Sequence, residues 1–149
     1  MSNDFPNQIS LTTEAVSRIL DEAFPEIHAA GRQMKIESVG VRRARVRLGF
    51  DPRNLRPGGT VSGPAMFTLA DFTIYVALIA TLGEAGIPAV TSNLSINFLL
   101  RPEPVDVVAD AKLLRIGRRL AYAEVALYSD GREDMIAHAT GNYAIPTPR

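Results

Sequence analysis

The residue pattern predicts an α+β domain in which one long helix is wrapped by an antiparallel sheet. Two features carry that expectation. From Gly63 to Gly83 the chain is apolar almost all the way round, with Pro just inside one Gly and a second Gly as the stop. After Gly86, four runs alternate apolar and polar residues with the period of half-buried strands. A helix without a polar face needs cover, and amphipathic strands need a core, so each supplies what the other lacks.

Taken in order, residues 1–10 read as a flexible polar arm. Thr12 is placed to cap a short helix in which Val16, Ile19, Leu20, Ala23 and Phe24 follow helical spacing, and Pro25 ends it. Ala44, Val46, Leu48 and Phe50 then alternate with Arg43, Arg45 and Arg47, a strand whose arginine row is more simply a solvated face than an anion site. Asp51 to Thr60 is a Pro/Gly loop leading into the long helix. Such a loop can deliver N–H groups to a helix entrance or merely connect two elements.

Beyond the helix, Leu94, Ile96, Phe98 and Leu100 alternate with Asn93, Ser95 and Asn97, a polar row that Thr91 extends backwards. Val105, Val107, Ala109, Ala111 and Leu113 alternate with Asp106, Asp110 and Lys112. Residues 119–128 and 135–145 complete the set, with Asp130-Gly131 as the turn signal between them. Ala137, Ala139 and Gly141 share one parity of the last run, small enough for a helix to come close. An open sheet edge and the polar row Thr91, Asn93, Ser95 and Asn97 point to self-association.

Composition narrows the function classes. A chain of 149 residues fits a single domain spanning 1–149. Lys+Arg and Asp+Glu are both 16, so no bulk charge draws nucleic acid or an anionic membrane. There is no cysteine, which removes disulfides, thiol catalysis and zinc-thiolate sites. Met1 to Pro6 lacks a basic stretch and an apolar run of a secretory signal, so a cytoplasmic protein is expected. Only His28 and His138 occur, neither with a ligand-spaced carboxylate or second His, so no metal is expected. The long helix has about the length of a membrane span. Asp71, three threonines and the lack of flanking Lys/Arg clusters argue for a protein core instead.

Asp71 is the residue that core packing does not explain. It is the lone charge in the helix, with no Lys or Arg in the segment, and burying a carboxylate unpaired costs several kcal/mol. The fold has to supply a partner or a reason. Phe67 and Tyr75 lie four residues to either side, on the same helix face.

The element order, and several stretches of text, resemble the hotdog fold and within it the PaaI-like acyl-coenzyme A thioesterases. The likeness runs from about Arg43 to Ile145. It is carried by Ser62-Gly63-Pro64-Ala65-Met66-Phe67-Thr68-Leu69-Ala70-Asp71, where the family has His-Gly-Gly and then Leu-Ala-Asp at the same spacing. The strand Ala89 to Pro102 and the basic Gly hairpin Arg115-Ile116-Gly117-Arg118-Arg119-Leu120-Ala121-Tyr122 add to it. Ser62 stands where the family has His, and Arg56 where it commonly has Asn.

The resemblance implies a hydrolase acting on acyl-coenzyme A, with no cofactor because coenzyme A arrives as part of the substrate. It makes Asp71 the catalytic carboxylate, as general base or nucleophile, and the Gly63 N–H the group that polarises the thioester carbonyl. Thr91 would help position water from the partner subunit. Ser62, Phe98 and the run Arg115, Gly117, Arg118, Arg119 and Leu120 would bind substrate, the hairpin holding the coenzyme A tail. It implies a homodimer or a dimer of dimers, with Gly63 of one subunit facing Asp71 of the other. Phe67 and Tyr75 beside Asp71 would suit a medium-chain or aryl acyl group, although plain core packing gives the same pattern. A non-catalytic acyl-coenzyme A binder or sensor is the alternative. A hotdog hydratase or dehydratase is a further one, but it would use a helix His that this chain lacks.

Overall fold

The computed structural model describes Ile9, residues 11–26 and residues 34–146. Helix α1 spans Thr13–Ala23, and Thr12 caps it by accepting the Ala15 N–H on its hydroxyl at 3.1 Å. Its Val16 and Leu20 are buried, as the helical spacing requires. Strands β1 (Met34–Gly40) and β2 (Arg43–Leu48) form a hairpin, and a Pro/Gly loop then leads to helix α2 (Gly63–Leu82). Four strands follow: β3 (Val90–Phe98), β4 (Val107–Ile116), β5 (Leu120–Ser129) and β6 (Met135–Ala144). The sheet is antiparallel throughout, in the order β1-β2-β4-β5-β6-β3.

Two expectations are corrected here. The sequence pattern gives no strand ahead of Arg43, yet β1 pairs along β2. A register shift between Ile36 and Ser38 breaks its alternation, which hides it from a search for period two. The polar row of β3 is also not one row. A second shift, between Thr91 and Asn93, turns Thr91 to the helix side, opposite Tyr143, while Asn93 and Ser95 pair with Asn142 and Thr140 on the outer face. The Asn54 end of the Pro/Gly loop is tied to the helix entrance by the Ser62 N–H, which donates to Asn54 O at 2.7 Å.

Helix α2 is the core. Thirteen of its twenty residues are buried, and it has no polar face. Together with the turn that follows, Gly63–Gly86 is long and apolar enough to cross a membrane, but here the sheet covers it. Ser62 caps its start by accepting the Ala65 N–H at 3.2 Å, and Gly83 ends it at φ +64°. Carbonyls of the last turn are met by the chain entering α1. The Ile9 N–H donates to Thr81 O at 2.7 Å, and the Leu11 N–H to Ala80 O at 3.2 Å. The rest of the expected arm, and His28, lie outside the described residues.

On the outer face two of the three arginines of the β2 row, Arg45 and Arg47, are neutralised. Arg45 bonds Glu37 and Asp110, and Arg47 bonds Glu37, Asp106 and Asp130. The adjacent arginines hold the Glu37 carboxyl below its usual range. A row with acidic partners is a solvated sheet face rather than an anion site.

The inner face of β6 shows why its small residues recur. A methyl group added at Gly141 would stand 2.8 Å from Leu94 Cδ1, 3.1 Å from Ile74 Cδ1 and 3.2 Å from Asn93 O. Ala137 and Ala139, on the same parity, are fully buried. Gly141→Ala should therefore destabilise the fold by about 1–3 kcal/mol, because the backbone carbonyl cannot give way. Urea unfolding at fixed protein concentration checks this, and an unchanged midpoint would show that strand and helix separate more easily than this packing allows.

Candidate active site

One stripe of α2 is not covered by its own sheet. Pro64 and Phe67 are exposed, and Thr68, Asp71 and Tyr75 half-buried, at helical spacing of three and four. Asp71 sits in the middle of that stripe, and the fold gives it two hydroxyl donors. Thr91 Oγ1 donates to Asp71 Oδ1 at 2.7 Å, and the Tyr143 hydroxyl donates to the same oxygen at 2.6 Å. The tyrosine proton is shared with Asp71 backbone O at 2.9 Å. Thr91 and Tyr143 are direct cross-strand partners on β3 and β6, so the bulge that turns Thr91 inward completes the pair.

Both bonds fall on Oδ1. Oδ2 has no partner among the described residues, and none of their buried side-chain oxygens is left unsatisfied, so Oδ2 stays open to the neighbouring cleft. That cleft, of about 430 Å³, is lined by Phe24, Tyr75, Ile87, Val90, Thr91 and Tyr143 beside Asp71. Its wall is aromatic. Tyr75 stacks on Tyr143 with centroids 6.1 Å apart and meets Phe24 edge-on at 6.2 Å, while its hydroxyl donates to Ile87 O at 2.7 Å. Burial first, and then the Asp71 carboxylate beside it, push the Tyr143 phenol far above the ordinary tyrosine range. Tyr143 is therefore a fixed donor across the pH range in which proteins work.

Gly63 opens into a different cleft. It lines a groove of about 830 Å³ with Arg56, Pro64, Phe98 and Arg101, and Phe98 lies so close that a β-carbon on Gly63 would stand 3.2 Å from its ring. In the first turn Ser62 takes the N–H groups of Ala65 and Met66, and Pro64 has none. The Gly63 amide is thus the first-turn donor without a partner among the described residues, at the positive end of a twenty-residue helix. Eight positions of α2 separate it from Asp71, about 12 Å of axial rise. One chain therefore brings its own Asp71 and Thr91 together, where the resemblance implies a Thr91 reaching in from the partner, and Gly63 and Phe98 together, but not the two pairs. Ser62 is held as the helix cap.

The arginine hairpin stands apart from both clefts. Gly117 N–H donates to Leu120 O at 2.8 Å, closing the turn between β4 and β5. Register places it nevertheless at the Asp71 end of the sheet. Ala121 pairs with Tyr143, which pairs with Thr91, so the hairpin strand lies one strand, about 5 Å, from Tyr143 and two strands, about 10 Å, from Thr91. Arg118 and Arg119 make no ion pair with the described residues. His138 is a sheet-face residue whose ring lies 3.3 Å from Glu124.

Sequence reasoning missed Tyr143. The signal was present, since Tyr143 shares the inward parity of Ala137, Ala139 and Gly141, where an aromatic with a hydroxyl needs a partner.

Comparison with known proteins agrees with this architecture. A crystal structure of a candidate thioesterase from Silicibacter sp. TM1040 superposes with a TM-score of 0.82 at 36% identity, covering 99% of each chain. The PaaI protein from the phenylacetic acid degradation operon of E. coli shares the fold, with a TM-score of 0.74 at 16% identity over 91% of this chain and 96% of that one. A candidate esterase of Saccharolobus solfataricus is 26% identical over 102 residues, 68% of this chain and 66% of that protein, so the match spans just under two thirds of that relative. The family model of the thioesterase superfamily matches residues 58–136, which run from the loop before α2 into β6 and include Gly63, Asp71, Thr91 and the arginine hairpin. With a hotdog fold and a family match over more than half its length, the chain belongs to the thioesterase superfamily.

Proposed function

We propose that this protein hydrolyses the thioester of an acyl-coenzyme A, with Asp71 as general base and Gly63 of a partner subunit polarising the carbonyl. The observation that carries the reading is Asp71 itself. A carboxylate in an apolar helix, tied by one oxygen and open to a cleft through the other, is placed to take a proton.

The reaction balances with these groups. Water oxygen bonds to the thioester carbon while its proton passes to Asp71 Oδ2. The negative charge that develops on the carbonyl oxygen is met by the Gly63 N–H. Collapse of the tetrahedral intermediate breaks the C–S bond, and the proton held by Asp71 goes to the leaving sulfur. The products are the free acid, which ionises in water, and the thiol of coenzyme A.

Self-association supplies the missing proximity. Strand β3 is an edge strand, with Val90, Phe98, Leu99 and Leu100 exposed along or just beyond it, and the open stripe of α2 lies on the same molecule. An isologous dimer through this edge covers both and sets a Gly63 against the other chain's Asp71. The aromatic wall of the Asp71 cleft favours a medium-chain or aryl acyl group. Arg118 and Arg119 suit the phosphates of the coenzyme A tail.

Three outcomes are expected. Asp71→Asn keeps the shape and removes the base, so kcat for octanoyl- or phenylacetyl-coenzyme A should fall by about two to four powers of ten with folding intact. A near wild-type rate of thiol release would sink the mechanism, and a wild-type protein that binds these esters without cleaving them would establish the binder reading instead. Changing Arg118 and Arg119 together to Ala should raise KM with kcat nearly unchanged, and added salt should weaken binding to the wild type more than to the variant. An unmoved KM would place the coenzyme A tail elsewhere. Sedimentation should show a dimer or tetramer at micromolar concentration, and a stable monomer would remove the shared site.

A further inference from the structure

We propose that Tyr143 is a positioning residue that breaks the equivalence of the two Asp71 oxygens, anchoring Oδ1 so that Oδ2 alone faces the substrate. This rests on the reading of Asp71 as the base. A carboxylate turns about a broad, roughly two-fold torsion, so an untethered Asp71 would present either oxygen in many orientations. Here both donors converge on one atom, at 2.6 Å from Tyr143 and 2.7 Å from Thr91.

The two donors are not equal. Thr91 is exposed, and water can replace its hydroxyl. Tyr143 is 4% exposed, and its ring is held in place by the stack on Tyr75, itself fixed by Ile87 O and by the edge of Phe24. The strand carrying it runs close to α2, with Gly141 leaving no space for a side chain two residues before. A phenol this buried, beside a carboxylate, does not lose its proton in the working pH range, so the anchor holds at every pH where the base is charged. The N-terminal helix thereby reaches the carboxylate through Phe24, Tyr75 and Tyr143 in turn.

Tyr143→Phe tests this, because it keeps the stacked ring and removes only the donor. With octanoyl- and phenylacetyl-coenzyme A as substrates, kcat should fall about tenfold to a hundredfold while KM stays within about twofold. A purely structural tyrosine would lower the amount of folded enzyme and leave kcat per folded molecule unchanged. An unchanged kcat in folded Tyr143→Phe, in a background where Asp71→Asn is inactive, would overturn the positioning role and leave the base intact, as would a raised KM at unchanged kcat. Full activity in Asp71→Asn would instead overturn the base and this inference with it. Should the Phe variant not fold, Thr91→Val, which removes the donor that water can stand in for, should lower kcat by less than about tenfold, and a larger loss would assign the anchor to Thr91 and overturn the role of Tyr143.

Discussion

The need to cover an apolar helix on nearly every side sets the rest of the structure. Helix α2 has thirteen buried residues and no polar face, so water contact anywhere along it is unfavourable. A single flat sheet could cover only one stripe. The six strands therefore wrap it, and β6 presents Ala137, Ala139 and Gly141 on its buried face, where a side chain at Gly141 would meet Ile74 of the helix. At the helix end, backbone donors from Ile9 and Leu11 meet carbonyls that would otherwise lack partners.

The stripe left open is where the proposed chemistry lies. Asp71 is tolerated in the helix because two hydroxyls on neighbouring strands meet one of its oxygens and the cleft meets the other. The same incompleteness that would be a flaw in a monomer, an open edge and an uncovered helix stripe, becomes useful if a second chain closes it. Gly63 and Asp71 line separate clefts of one molecule, so the cooperation proposed for them would belong to an assembly rather than to one fold.

Much of this was legible in the residues, and the rest failed for identifiable reasons. The Gly-Pro start and Gly stop marked α2 to within a residue, and parity marked five of the six strands, β2 before it and the four after it, correctly in kind. Strand β1 escaped because a register shift interrupts its alternation. Thr91 was placed on the wrong face for the same reason, since one extra residue in β3 reverses every side chain before it. Tyr143 lay on a strand whose parity was read correctly, but which helix residue it would meet depends on how β6 lies along α2. No local pattern encodes that alignment. Asp71 stood out because it broke its surroundings, whereas Tyr143 matched them.

The strand order has a consequence for how the molecule comes into being. Strand β3 is synthesised before β4 and β5 yet pairs only with β6, so it must wait through two further strands for its neighbour. Contacts of such long sequence separation close slowly, and an unpaired strand is exposed to wrong partners while it waits. A chain cut short before β6 would therefore lose three things together: the neighbour of β3, the small-residue face against Ile74, and the phenol on Asp71. Completion of the sheet and completion of the carboxylate's surroundings are a single event.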